Sequence, residues 1–400
     1  MHTIYETHRA TARRTARHIV TLCAVLLGTL TACGGGGDQP QETPQAQQAS
    51  GPQIVAGPGY MPECFKPWSE ETQYFQWPAR KGPLRVALVN GYVGNAWRIQ
   101  MIKTAKAFAK DPSVAPMISE FKVVSTGTDI AAQLGAIEDF INQGYDAIIT
   151  LAVSPQGFDR VIRLANRQGV VIVPFDNVLD SKDVIQVNED QLDMGRLWGA
   201  FIDERLNGQG KVLEVRGLQG NSTDRDRHIG FREIMEAPGK DYQIIEVVGN
   251  WDDGQAQKAV ANALATHGQF DALFVQGGST GAVRALLDAG HRPIPVATEG
   301  ENGVRKLIAQ YHEQGMEGLS LGQSPALAAI AIKAAIEALQ GKVIPQLISV
   351  PIPGDDHTTL EDGVSYYSEM SDDFFTANTF PPCGVNISGI DIMNEEIEGQ

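Results

Sequence analysis

The chain is poor in the residues that most often announce chemistry. Among its 400 residues there are four cysteines and eight histidines. His228, His267, His291, His312 and His357 are scattered and show no metal-ligand spacing. No Gly-x-x-x-x-Gly-Lys loop is present to cradle a phosphate, and no dinucleotide fingerprint follows the first strand-like run. These absences remove the usual marks of nucleotide-hydrolysing enzymes and dehydrogenases. Basic residues are outnumbered, 32 against 48 acidic ones, for a net charge of −16. That balance argues against nucleic acid or anionic lipid as a partner. No apolar run reaches the ~20 residues that span a bilayer. What remains is ordinary globular composition, 42% hydrophobic and 20% charged.

The amino-terminal segment reads as a targeting signal. Arg9, Arg13, Arg14 and Arg17 form a basic stretch, and the apolar run over 19–30 is too short to cross a membrane. Leu30-Thr31-Ala32-Cys33 resembles a bacterial lipobox, which implies cleavage before Cys33 and a lipid on that cysteine. Arg13-Arg14 does not sit in a good twin-arginine context, so the general secretory route is expected. Residues 1–33 are therefore expected to be a signal, and the mature chain to lie in the periplasm or on the outer face of the cell membrane. Residues 34–59, rich in Gly, Pro, Gln and Ala, read as a disordered tether. Residues 60–83 carry Trp68, Tyr74, Phe75 and Trp77 and are expected to pack against the globular body. Cys23 falls in the signal and Cys33 is the anchor. Cys64 and Cys383 are then an even pair in an oxidising compartment, and a disulfide between them is expected.

From residue 84 the chain alternates strand-like and helix-like segments. Strands are expected over 84–90, 121–125, 147–151 and 170–175, with helices over 97–110, 130–143 and 156–168. The pattern restarts with helices over 192–206, 223–235 and 255–267 and strands over 212–216, 244–248 and 272–276. Further segments alternate to a long Ala-rich helix over 326–339 and a strand over 346–352. Continuous Val/Ile/Leu runs mark strands buried on both faces of parallel sheets. Two similar α/β halves in tandem give an α/β fold of two Rossmann-like doubly wound lobes facing each other. The tail beyond residue 355 reads as acidic and irregular, with Tyr366, Phe374 and Phe375 expected to pack.

The stretch around which the rest is organised runs from Gly217 to Phe231. A strand-like Val-Leu-Glu-Val-Arg precedes it, a Gly-rich turn opens it, and helical spacing closes it. Ser222 or Thr223 is the expected cap, with Asp226 as a weak capping-box partner of Thr223. Arg225 and Arg227 then fall in the first turn, where the helix dipole disfavours cations by ~0.3–1 kcal/mol each. Either they pair with Asp224 and Asp226 at the surface or one of them serves a site. Turns after parallel strands are where open α/β sheets bind ligands. Read in turn, these loops carry Gly94-Asn-Ala-Trp-Arg98, Ser154, Phe175-Asp-Asn177, Asp226-Arg227, Asn250-Trp-Asp252, Gln276-Gly-Gly-Ser279, Thr298-Glu-Gly300 and Gln323. Indole faces can stack on the C–H face of a sugar ring, and arginines and carboxylates bond its hydroxyls.

Four segments carry a family resemblance: 137–149 (Ile-Glu-Asp-Phe-Ile-Asn-Gln-Gly-Tyr-Asp-Ala-Ile-Ile), 173–177 (Val-Pro-Phe-Asp-Asn), 224–231 (Asp-Arg-Asp-Arg-His-Ile-Gly-Phe) and 321–325 (Leu-Gly-Gln-Ser-Pro). Residues 84 to about 353 resemble a type I periplasmic binding protein of the ribose/galactose-binding class, the solute receptor of a sugar ABC transporter. The resemblance implies three hinge crossings, near 187–189, 322–324 and 349–351. Lobe 1 would then comprise 84–188 with 324–350, lobe 2 would comprise 189–323 with 351–370, and 371–400 would be a tail. It implies that Asn95 and Trp97 hold the ligand, that Asp176 binds hydroxyls, that Arg227 rather than Arg225 is the ligand arginine, that Trp251 forms an aromatic wall and that Gln323 is the hinge glutamine. Arg98 stands where the family often has an aromatic, Asn177 where ribose binders have an arginine, and Glu299 where an Asp is usual. Gly277 and Gly278 replace an Asn-Asp, so those polar contacts are either lost or supplied by Ser279. These departures imply a ligand other than ribose. Asp176 and Glu299 balanced against Arg98 and Arg227 fit a neutral sugar or polyol.

The expected protein is thus a monomeric sugar receptor with no cofactor and no metal, a permease as partner, and hinge closure on its ligand. A secreted enzyme is the weaker alternative; Asp252-Asp253 reads as a helix start rather than a catalytic dyad. A transcription regulator of the lac type shares the core fold but needs a DNA-binding element where this chain has the signal and tether. A sensor that docks on a receptor kinase is not separable from a transport receptor on these residues.

Overall fold

The structure is a computed structural model and describes residues 51–397. The expected signal, Cys33 and most of the 34–59 tether lie outside the described residues.

Two parallel sheets form the scaffold. The first sets Ile118–Ser125, Leu84–Asn90, Ala147–Leu151 and Val171–Pro174 side by side, all parallel. Its inner strands are largely apolar because helices cover both faces. Ala96–Lys110 and Leu327–Leu339 pack on one face, Ile130–Asn142 and Asp159–Gln168 on the other. The second sheet runs Gly354–Asp356, Gly318–Leu321, Val296–Glu299, Ala272–Val275, Gln209–Arg216, Asp241–Val248. All are parallel but the short edge strand Gly354–Asp356. Gln191–Leu206 and Ser222–Met235 cover one face; Asp253–His267, Ser279–Asp288 and Asn302–Tyr311 cover the other.

The lobes are joined by backbone rather than by a shared core. Gln186–Glu189 and Leu347–Val350 pair in parallel and carry two of the passages. The third runs through Gly322, whose N–H donates to Pro353 O at 2.6 Å. Its φ of +47° suits glycine.

Three features differ from the sequence expectation. Gln53–Val55 is not tether. It pairs antiparallel with Tyr74–Gln76, which pairs in turn with Ile344–Pro345. Gly and Pro hid a strand too short to show a period. The strand expected over 346–352 is split, because Ile344–Pro345 joins that small sheet and Leu347–Val350 joins the hinge. The tail is ordered as well, with a hairpin of Thr379–Phe380 and Val385–Asn386 and a helix at Gly389–Asn394. Phe65, Phe75 and Trp77 from the extension and Val385 and Ile392 from the tail enter the core of lobe 1. Cys64 and Cys383 form a disulfide there, with Cα atoms 4.8 Å apart.

Candidate ligand-binding cleft

The helix that presents Arg227 begins one residue earlier than its spacing suggests. Asn221, not Ser222 or Thr223, is the cap, accepting from Thr223 N–H. Asp224 occupies the first turn and grips Arg216 at 2.6 Å, which removes the capping-box role from Asp226. Arg227 therefore lies in the second turn, past the reach of the dipole. Arg225 is exposed and pairs with its neighbour Asp226 at 2.7 Å. Two glycines let this helix lie close against Gln191–Leu206. A Cβ on Gly230 would meet Leu192 O at 1.9 Å, and one on Gly195 would meet Arg227 O at 2.2 Å. This crossing directs the Arg227 guanidinium inward.

Arg227 is 1% exposed and is the hub of the site. It donates to Gln191 Oε1 at 2.8 Å, Gln276 O at 2.6 Å, Glu299 Oε1 at 2.6 Å and Gln323 Oε1 at 2.9 Å. Trp198 lies under it, 5.4 Å from guanidinium to ring centroid. Gln323 turns its amide N–H to Asp176 Oδ1. One hinge glutamine thus links the lobe 2 arginine to the lobe 1 carboxylate. Asp176 has φ of +58°, a strained left-handed conformation for a non-glycine. Burial pushes its pKa up to about 6, against the pull of Arg227 and Arg98. Burial raises Glu299 too, with Arg227 opposing.

These groups floor a cavity of about 290 Å³ between the lobes. Of the residues expected to bind ligand, Asn95, Trp97, Arg98, Asp176, Arg227, Trp251, Gly278, Glu299 and Gln323 line it. Asn95 also caps Ala96–Lys110 through Arg98 N–H, and the Trp97 indole donates to Gln323 O at 2.9 Å. Arg98 donates to Asn90 Oδ1 at 2.8 Å and lies 4.2 Å over the Tyr92 ring. Trp251, at φ +57°, closes the lobe 2 side; its indole N–H has no partner. Gly217 and Gly277 leave room for it, since a Cβ on either would meet its ring at 2.0 and 2.8 Å.

Three expected ligand residues are not in the wall. Ser154 sits in its own turn, accepting from Gln156 N–H. Asn177 is 2% exposed and latches the lobes, donating to Ala152 O and accepting from Thr223 Oγ1 at 2.9 Å. Ser279 is fully buried and its hydroxyl accepts from Glu299 N–H, so it does not replace the missing Asn-Asp contacts. The backbone N–H groups of Gly278, Ser279 and Thr280 are all taken by Glu301, a cap from another loop. Gly277-Gly278-Ser279-Thr280-Gly281 does read Gly-x-Ser-x-Gly after a strand, the spacing of a nucleophile elbow. Yet Ser279 Oγ is buried and bonded to backbone, with no histidine among its partners.

Thr223, Asp252, Asp253, Glu301, Asp373 and Phe375 also line the cavity. Asp252 and Asp253 do start a helix, as their pairing suggested: Asp252 caps it and Asp253 accepts from Gly281 N–H at 2.8 Å. Burial, and then Glu301 beside it, holds the Asp253 carboxyl well above the usual range. Phe375 packs in the lobe 1 core as expected, but nothing in the sequence pattern placed it or Asp373 at the cleft, because the tail shows no period. Away from the cleft, Glu214, His228 and Glu246 bring donor atoms within 4.8 Å of one another. Arg232 and His228 already occupy both Glu214 oxygens, so this is an ion-pair network.

Two α/β lobes with a polar, aromatic-flanked cavity at their backbone hinge define a protein built to enclose a small solute. The chain belongs to the periplasmic binding protein family, whose domain description matches residues 86–343. It is 26% identical over 237 residues to the ribose import binding protein RbsB of Bacillus subtilis (strain 168), covering 58% of this chain and 75% of that one. It is 25% identical over 210 residues to the xylitol-binding protein of Mycolicibacterium smegmatis, covering 50% and 60%. Among solved structures it is similar to an ABC transporter solute binding protein from Thermobispora bispora, at TM-score 0.61 and 26% identity over 68% of this chain and 84% of that one.

Proposed function

We propose that the protein is the solute receptor of a sugar ABC importer, held at the membrane by a lipid on Cys33. It closes on a neutral sugar or polyol and presents the closed form to a permease. The observation that carries this reading is the Asp176–Gln323–Arg227–Glu299 chain at the cavity floor, flanked by Trp97 and Trp251. Of the carboxyl groups lining the cavity, Asp252, Asp253 and Glu301 are committed to backbone N–H groups, while Asp176 and Glu299 stand with Arg98 and Arg227 as acceptors and donors, which suits hydroxyls that are both. A cavity of about 290 Å³ suits a small solute. The chain's relatives support the class, since several bind ribose, allose or xylitol by their names. Closure follows as a population shift, because groups on both lobes and on the hinge contact one ligand only when the lobes meet. Native mass spectrometry of the purified protein is expected to show a co-purified sugar-sized molecule; an anion or a nucleotide in its place would overturn the neutral-sugar reading. Cys33→Ser is expected to move the protein from the membrane fraction to the soluble one, and continued membrane retention would remove the anchor.

A further inference from the structure

The chain crosses between the lobes a fourth time, beyond the last residue that the family match reaches. Residues 367–374 grip lobe 2. Asn302 Nδ2 donates to the carbonyls of Tyr367, Met370 and Ser371, and Asn302 Oδ1 accepts from Tyr367 N–H. Asn302 and Gly303, at the start of a helix, donate their backbone N–H to Phe374 O and Asp372 O at 2.7 and 2.9 Å. Asp372 pairs with Arg284 and Lys306.

The changeover falls on Phe375. Its backbone bridges Glu301 of lobe 2, and the next residue, Thr376, donates to Gly300 O at 3.1 Å. Its own N–H and C=O are both taken by the buried Gln100 amide of lobe 1, at 2.8 and 2.9 Å. Ser324, in a hinge passage, donates to Ala377 O at 2.7 Å. The remainder then fastens to lobe 1: Lys103 donates to Met393 O, Lys110 pairs with Glu395, and Val385 and Ile392 enter the core. Cys383 is bonded to Cys64 in the same lobe. Midway along this path Phe375, 4% exposed and packed in the lobe 1 core, lines the cavity.

We propose that residues 367–397 are a disulfide-anchored strap across the cleft, and that Phe375 is a ligand-contacting residue supplied by it. The wall assignment rests on the sugar reading above; the strap does not. Trp97 from lobe 1, Trp251 from lobe 2 and Phe375 from the strap then offer the ligand three aromatic surfaces. A backbone held by both lobes at one residue limits how far the hinge opens. Ligand exchange is therefore slower than three passages alone would allow.

Small-angle scattering of the ligand-free protein tests the strap, comparing wild type with C64S/C383S. The variant is expected to show a larger radius of gyration at an unchanged far-UV circular dichroism spectrum. Superimposable scattering would overturn the strap. Should that variant not fold, amide exchange on the wild type decides. The N–H groups of Phe375 and Thr376 are expected to exchange as slowly as the lobe strands, and exchange at free-peptide rates overturns the strap. For the wall, D-ribose, D-allose and myo-inositol are titrated into wild type and Phe375→Ala. About tenfold weaker binding is expected for any that binds wild type, as for loss of one aromatic anchor. Equal affinity overturns the wall assignment. Failure of all three to bind wild type counts against the sugar reading, while scattering and exchange still judge the strap.

Discussion

The two arginines of the cleft hold opposite kinds of position. Arg227, on the lobe 2 wall, spends its donors on four protein acceptors and is locked over Trp198. Arg98, on the lobe 1 wall, donates to Asn90 and otherwise lies over Tyr92. Most of the lobe 2 wall is prewired: Glu301 takes three successive backbone N–H groups, and Asp252 and Asp253 fix the next helix. The lobe 1 wall rests on the first turn of one helix and on Asp176, which follows the strand Val171–Pro174. Preorganised groups lose little freedom when a ligand arrives, so the lobe 2 wall is built to set the geometry. The lobe 1 wall keeps donors in reserve for whatever the cleft admits.

This contrast can be broken by substitution. Arg227→Ala leaves Glu299 buried without its cation, which costs on the order of 3–5 kcal/mol. The expected result is a marked drop in melting temperature together with loss of ligand response. A variant that melts like wild type would mean the lobe 2 wall is not prewired.

Next in size is the hinge carboxyl Glu189. It is fully buried, Ser324 N–H reaches one oxygen at 3.3 Å, and the other has no partner. Burial pushes its pKa from 4.5 to about 8. The folded state thus holds a proton that the unfolded chain releases. Its contribution to stability is full below pH 4.5 and is lost as pH rises through about 8. Glu189→Gln is expected to be close to wild type at pH 4 and more stable than wild type at pH 9. Parallel melting curves at both pH values would contradict this.

Arg98→Ala is expected to weaken binding about tenfold, the loss of one charge-assisted bond, while costing only about 1–2 kcal/mol of stability. A stability loss as large as that of Arg227→Ala would erase the contrast between the walls. Ser154→Ala is the smallest case. Its side chain serves only its own turn, so a change within about 0.5 kcal/mol and unaltered affinity are expected.

Much of this was legible in the sequence, for identifiable reasons. The lobes were, because strands buried on both faces write near-continuous apolar runs, as in Val171–Pro174. Asp176, Arg227 and Glu299 were, because each lies at the carboxyl end of a parallel strand or in the helix that follows one. Asn177 and Ser279 sit at such strand ends too, yet their side chains bond to the opposite lobe and to the backbone. A loop's place in the chain fixes where a residue sits and leaves open which way it turns. Phe375 was out of reach for another reason. Its place depends on a disulfide and on a buried glutamine 275 positions earlier, and neither writes a local pattern.

Isothermal titration of D-ribose, D-allose, L-arabinose, xylitol and myo-inositol into wild type and Asp176→Ala bears most directly on the cleft as a sugar site. At least one of these is expected to bind wild type one to one and to lose that binding in Asp176→Ala. Equal affinity in the two proteins, or no binding of any to wild type, would contradict it.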